Sequence, residues 1–245
     1  MITLSVFCTT YNRPHLLGEL IESFRRQTYP KDRCELVVLD DAGQYGDLRG
    51  ENWQVVSLAR RFASLGEKRN ACVSLTNPRF THLVITDDDD IYLPWWLECH
   101  AENFASGARW SYASAAYWSE ENRIEKHWQD RDNPCFMHPG HAFEKALFWK
   151  MGGYPHLSGW EDRDMFLQFV KRGFRPRDAL ETGYDPYLIY RRFRAERHLT
   201  EVPLERYQRE FVAKLPKAEL AIGWQRDYLT DVAEFRKFSV DQSNR

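Results

Sequence analysis

Residues 81–98 read THLVITDDDDIYLPWWLE, and the fold turns on how that stretch is taken. Leu83, Val84 and Ile85 form a short apolar run of the kind that makes a strand covered on both faces. The run stops at four consecutive carboxylates, Asp87 to Asp90. Partly desolvated together, they would repel one another strongly, so positive charge is expected beside them. In an open α/β sheet, ligands bind in the crevice beyond the carboxyl ends of the strands, which is where this cluster falls. Hard oxygen ligands in that number suit Mg²⁺ or Mn²⁺, ions that keep open positions for substrate phosphates. The competing reading is a solvated acidic turn capping the helix that begins near Pro94. A buried strand immediately before the acids argues against it, because the strand aims them at the crevice.

Upstream, Thr3 to Cys8 reads as a first strand that leads into the polar turn Thr9 to Arg13. Pro14 suits a first helical position, and Leu16, Leu17, Leu20, Ile21 and Phe24 recur at helical spacing. A second strand, Glu35 to Asp41, again ends in acid, at Asp40 and Asp41. A polar loop follows, then a short strand from Trp53 to Leu58 and a helix from Ala63 to Leu75 that carries Lys68, Arg69 and Asn70. Alternating strands and helices imply a mostly parallel sheet with helices on both faces and right-handed connections. Acids at the ends of two such strands converge on one crevice. There is no G-x-G-x-x-G after the first strand and no Walker A sequence, which leaves a metal-bridged diphosphate as the mode of phosphate binding.

Downstream, a helix is expected from Trp95 to Phe104, then an antiparallel hairpin of Arg109 to Trp118 and Ile124 to Trp128. A loop containing His138 and His141 and a short helix, Phe143 to Met151, come next, stopped by Gly152-Gly153 and Pro155. In Ser158 to Lys171, Glu161 and Asp162 open a helix, where acids are also favoured by the helix dipole alone. The run from Tyr187 to His198 interleaves arginine with aromatic rings, and the remainder to Arg245 is charged and helix-rich.

The net charge of −2 arises from 34 basic and 36 acidic residues, so no global field argues for nucleic acid or membrane. Aromatic residues make up 15%, enough that some rings must line a surface or pocket. Five widely spaced cysteines without a C-x-x-C pair argue against a disulfide framework or zinc site and for a reducing compartment. No signal peptide is read at the N-terminus and no apolar run reaches the roughly 18 residues that span a bilayer, so a cytoplasmic protein is expected.

Five motifs in this order, VFCTTYNRPHLLGELIESFRRQTYP, ELVVLDDAG, EKRNACV, ITDDDDIYLPWWLE and GGYPHLSGWEDRDMF, resemble the inverting family 2 glycosyltransferases. The resemblance covers about residues 3–172 and extends faintly to Tyr190-Arg191. It implies the GT-A fold, a Rossmann-like nucleotide-diphospho-sugar transferase fold, over residues 1–200, with a nucleotide-sugar half (1–100), an acceptor half (101–200) and a helical C-terminal appendage (201–245). It implies that Thr9, Tyr11 and Arg13 cradle the nucleotide, that Asp40 and Asp41 contact its base or ribose, and that Arg69 and Asn70 lie beside it. Asp87 and Asp89 match the D-x-D that holds Mn²⁺ or Mg²⁺ on the diphosphate; Asp88 and Asp90 are possible substitutes, because a fourfold run blurs the register. Asp162 is the expected general base, with Glu161 and Asp164 as its neighbours in doubt. His198 is a further candidate for the metal or diphosphate, and His138 and His141 for the acceptor site. Where the family commonly keeps Tyr-Arg followed closely by His and Ser, this chain has His198 and Thr200 after Tyr190-Arg191, so that loop is altered.

The chemistry implied is transfer of a sugar from a nucleotide-sugar, with a UDP-sugar as the expected donor, to an acceptor hydroxyl. The acceptor, a glycan, a lipid-linked molecule or a small molecule, is written in no motif; Trp95, Trp96, Trp110, Trp118, Trp128 and Trp160 offer flat faces for a sugar ring. A nucleic-acid acceptor is the alternative raised by the run Tyr187 to His198. Beyond glycosyl transfer stand a nucleotidyltransferase and an inactive sugar-nucleotide-binding module. TTYNRP lacks the glycines of a pyrophosphorylase signature, and both acidic motifs that an inactive module would be expected to lose are present.

Overall fold

The computed structural model describes residues 1–46, 48–120, 123–128, 137–191 and 215–243. The elements in order are β1 (Leu4–Thr10), α1 (Pro14–Arg25), β2 (Cys34–Asp40), β3 (Leu48–Gly50), β4 (Trp53–Ser57), α2 (Leu65–Ser74), β5 (His82–Ile85) and β6 (Ile91–Tyr92). Then follow α3 (Trp96–Ala105), β7 (Trp110–Tyr112), β8 (Ala115–Glu120), β9 (Arg123–Trp128), β10 (His141–Glu144), α4 (Lys145–Lys150), α5 (Glu161–Lys171), β11 (Arg177–Asp178), β12 (Leu188–Arg191) and α6 (Tyr228–Ser243).

An eight-stranded sheet runs β11-β7-β10-β5-β1-β2-β4-β3, and a four-stranded sheet runs β6-β12-β8-β9. The centre, β5-β1-β2-β4, is parallel. Side chains alternate across it with period two. Leu4, Val6 and Cys8 of β1, Leu36 and Val38 of β2 and Val84 of β5 enter one core with α1 and α3. Phe7, Val37, Leu39, Leu83 and Ile85 enter the other, with α2, α4 and α5. Burial on both faces is why these strands read as apolar runs. Thr10 lies opposite Asp40 and Phe7 opposite Ile85, so the polar residues after β1, β2 and β5 leave the sheet along one edge.

Local chemistry sets the helix ends. Ser64 Oγ accepts from Glu67 N at 3.1 Å, the N-cap bond that starts α2, while Glu67 Oε2 accepts from Ala63 N at 3.1 Å, one residue before the cap. Helix α5 opens from Trp160, which sits in the left-handed region at φ 65° without a side-chain cap.

Tertiary pairing overrides the sequence pattern in three places. The strand expected over Arg109 to Trp118 divides into β7 and β8, which belong to different sheets; Ser114 N between them is held by Asp178 Oδ1 at 3.1 Å. The expected hairpin partner is still antiparallel, as β8 with β9. The short helix expected from Phe143 starts instead at Lys145, because Ala142 and Phe143 pair with Val84 and Leu83. Finally, β3, within the expected loop, adds an antiparallel edge to β4. The boundary expected at residue 200 lies outside the described residues. Cys8, Cys34, Cys72 and Cys99 are free and buried. No helix among the described residues is long and apolar enough to cross a membrane.

Gly66 gives a stability test. Its N–H donates to Leu157 O at 2.9 Å, and an added Cβ would come within 1.8 Å of Pro155 O. Glycine to alanine inside a helix ordinarily stabilises by about 0.5–1 kcal/mol. Here the clash is with backbone, and overpacking of roughly 1–3 kcal/mol should win. Gly66→Ala is therefore expected to lower the urea midpoint; a raised midpoint would refute the close packing of α2 on the 155–157 turn.

Candidate active site

The edge where β1, β2 and β5 end carries three turns. In the first, Asn12 is left-handed at φ 54°, and its Oδ1 accepts from Gln44 Nε2 at 3.0 Å. Tyr11 is stacked under the Arg61 guanidinium at 3.9 Å, and Thr9 is half-buried. In the second, Asp40 is fully buried and turned into its own loop, accepting from Ala42 N at 2.9 Å, Gln44 N at 3.1 Å and Ser57 Oγ at 2.7 Å. Asp41 Oδ1 accepts from Lys68 Nζ at 2.5 Å and Arg61 Nη1 at 2.6 Å. Both carboxylates expected to meet the nucleotide are thus engaged with the protein: Asp40 shapes the loop, and Asp41 gathers two cations.

In the third turn the four acids have different partners. Asp88 turns inward, accepting from Thr10 Oγ1 at 2.5 Å and Arg13 Nη1 at 3.0 Å. The same Arg13 nitrogen reaches Asp89 Oδ2 at 2.9 Å. Asp87 keeps 30% of its side-chain surface exposed and lies 3.6 Å from both Arg69 Nη2 and His138 Nδ1. Asp90, 1% exposed, accepts Arg191 N at Oδ1 (3.0 Å), while its Oδ2 is buried with no hydrogen-bond partner among the described residues. The expected positive charge is present as arginine, but unevenly. Burial, reinforced by Asp89, pushes the Asp88 carboxyl up to about 6 against Arg13 and Thr10. Burial, with Asp89 and Asp87, raises Asp90 well above the usual carboxylate range. Burial acts the same way on Asp87, but His138, Arg69 and Arg13 outweigh it and hold that carboxyl well below.

This donor set fits a hard divalent ion. One oxygen each from Asp87, Asp89 and Asp90 lies within 4.8 Å of the others. The orphaned Asp90 Oδ2 is the independent sign, since a buried acceptor left unpaired is costly and a cation would satisfy it.

Arg69 ties this turn to the start of α5. Its Nη1 donates to Glu161 Oε1 at 2.7 Å and lies 3.1 Å from His138 Nε2, while Nη2 faces Asp87. Glu161 is 3% exposed. Asp162 is half-buried, and its Oδ1 accepts from Arg163 N at 2.7 Å. Of the tryptophans considered as stacking faces, Trp96 and Trp110 are core residues, whereas Trp160, two residues before Asp162, is 70% exposed. Asn70 faces elsewhere: its amide donates to Tyr154 O at 2.8 Å and accepts Tyr154 N at 2.9 Å, pinning the Gly153-Tyr154 turn. His141 is a core residue against Trp110, while His138 is brought to the acids. His198 lies outside the described residues. In the basic, aromatic run, Tyr187 and Arg191 are buried, and residues 192–198 lie outside the described residues.

Sequence reading did not single out Arg61, Glu19 or Tyr228, and gave no sign that Arg69 pairs with Glu161. The only available signal was a charge inside an apolar helical stripe, as at Glu19. A cavity of about 810 Å³ bordered by His82, Lys145 and Trp149 opens at the amino end of β5, opposite to the acids.

A family model described as glycosyl transferase family 2 matches residues 5–181. Among solved structures, S. aureus TarS 1–349 in complex with UDP-GlcNAc aligns with a TM-score of 0.65 and 16% identity, over 82% of this chain and 62% of that one. The same protein in complex with UDP gives 0.60 and 16%, over 78% and 60%. The mannosyltransferase PcManGT from Pyrobaculum calidifontis, in complex with GDP-Man and Mn²⁺, gives 0.53 and 20%, over 71% and 54%. At such identities the likeness is one of fold. The chain spans less than two thirds of the length of these structures. No curated protein matches the sequence.

Proposed function

We propose, for a chain that belongs to glycosyl transferase family 2 and has the GT-A fold, transfer of a sugar from a nucleotide-sugar to an acceptor hydroxyl with inversion at the anomeric carbon. The observation that carries this reading is Arg69, which spans from the acid turn at Asp87 to Glu161, the residue before Asp162, and so ties the start of α5 to the acids. A leaving group and a proton acceptor on opposite sides of one sugar are what a single displacement requires.

In this reading Asp87, Asp89 and Asp90 hold the divalent ion, and Asp88 is a strut that fixes the turn to Thr10 and Arg13. When bound there, Mg²⁺ or Mn²⁺ would neutralise charge building on the departing diphosphate. Thr9, Tyr11 and Arg13 flank the nucleotide, with Asp41, Lys68 and Arg61 forming the wall beside it. Asp40 and Asn70 act by shaping the loops around it. Asp162 takes the acceptor's proton as its oxygen attacks, and Trp160 offers a ring face to the acceptor. The UDP-GlcNAc and GDP-Man complexes of the structural relatives support a nucleotide-sugar donor, and the Mn²⁺ complex supports that ion. A UDP-sugar is the first donor to test.

Calorimetric titration of UDP, GDP and their sugar conjugates, in Mn²⁺ and then in EDTA, tests the reading. UDP is expected to bind in Mn²⁺ and to lose most of that affinity in EDTA and in the Asp87→Ala/Asp89→Ala double variant. UDP affinity indifferent to both would end the metal assignment, and no binding by any nucleotide would end the transferase reading.

A further inference from the structure

Beyond the matched residues 5–181, the chain returns to the site. Leu215 packs on Tyr11 and Ala42. Lys217 Nζ donates to Gly43 O at 2.7 Å, and Ala218 N to Gln44 O at 3.0 Å. The backbone then crosses α1 so closely that a Cβ on Gly18 would lie 1.9 Å from Ala221 O. This strap, residues 215–227, ends at α6.

Where it ends, three donors converge on Glu19, a carboxylate on the buried face of α1 that is 1% exposed. Arg191 Nη1 pairs with Oε2, while Tyr228 OH (3.0 Å) and Gln225 N (2.9 Å) donate to Oε1. Arg191 Nη1 also donates to Tyr228 OH at 3.2 Å. The far side of Arg191 holds the acid turn: Nε donates to Asp89 O at 2.5 Å and the backbone N–H to Asp90 Oδ1 at 3.0 Å. That last bond decides which Asp90 oxygen is left unpaired.

A buried ion pair is a poor source of stability, since desolvation offsets most of its attraction. Its directionality is a better account of its presence: Glu19 and Tyr228 give the guanidinium one orientation, in which Nε holds the Asp89 carbonyl while the backbone N–H of the same residue holds Asp90. We infer that Glu19 and Tyr228 are positioning residues for the cation site, acting through Arg191, and that the C-terminal strap is a working part of the donor site. This inference rests on the proposed metal and nucleotide role of the acid turn.

Tyr228→Phe removes one hydroxyl and keeps the ring, which packs edge-on to Trp224. Gly18→Ala pushes on the strap backbone at Ala221 and leaves every side chain of the Glu19 network unchanged. Mn²⁺ affinity, from the free-ion EPR signal without nucleotide, and UDP affinity in Mn²⁺ are measured beside the thermal midpoint of the ligand-free protein. Both variants are expected to weaken Mn²⁺ and UDP binding about 5- to 30-fold, the factor that one to two kcal/mol of lost positioning gives. Phe169→Leu, in the opposite core, is expected to lower the midpoint with affinities unchanged. If Tyr228→Phe and Gly18→Ala also lower only the midpoint, the network is merely structural and the inference is overturned. Failure of the wild-type protein to bind nucleotide in Mn²⁺ would instead overturn the functional reading beneath it, so the two failures are distinguishable.

Discussion

Asp162→Asn is expected to slow sugar transfer by about 10²–10⁴-fold, the range for loss of a general base, while nucleotide affinity in Mn²⁺ stays near wild type. Glu161 and Asp162 are adjacent in sequence but differ in what is left for chemistry. Glu161 is buried, with Oε1 donated to by Arg69 at 2.7 Å, so it is a counter-ion. Asp162 is half-buried, has its Oδ1 steadied by Arg163 N, and follows the exposed Trp160 by two residues. Asp162 is partly open to solvent, and Glu161 is not. The readout is release of nucleoside diphosphate, to an acceptor or to water, beside calorimetric affinity. Glu161→Gln should instead lower the denaturation midpoint. Near-normal turnover in Asp162→Asn with intact binding would remove it as the base.

Arg69→Met is expected to cost roughly 3–5 kcal/mol of stability, because it leaves Glu161 as an uncompensated buried charge. Arg69 is 8% exposed, and its guanidinium is bonded to Glu161, close to His138 and Asp87, and 5.4 Å over the Tyr154 ring. Arg69→Lys should recover only part of the loss, since a single ammonium cannot reproduce the planar fork that faces both carboxylates. Adding Glu161→Leu to Arg69→Met should restore most of the stability, because the stranded charge is gone. It should not restore turnover, because the bridge from the acid turn to the start of α5 is gone as well. Urea denaturation of the four proteins settles the first point: a loss under about 1 kcal/mol in Arg69→Met would mean that Glu161 is not held as described.

The residue pattern by itself determined the layered α/β architecture and the edge at which the site lies. Central parallel strands are buried on both faces, so β1, β2 and β5 show as apolar runs, and the acids at the ends of β2 and β5 mark one end of the sheet. Proline at the start of α1 and acids in the first turn of α5 are local signals with local causes. The division of labour among the acids was decided only by tertiary structure, because it depends on partners far away in the chain. Asp88 and not Asp87 turns inward because Thr10 at the end of β1 and Arg13 in the turn after it meet it, 78 and 75 residues away. Asp40 serves its own loop, and Asn70 serves Tyr154. Arg69 finds Glu161 across 92 residues, and Glu19 finds Arg191 and Tyr228 across 172 and 209. A carboxylate announces its charge in the sequence; which cation neutralises it is a matter of distance in space, and only the folded chain sets that distance.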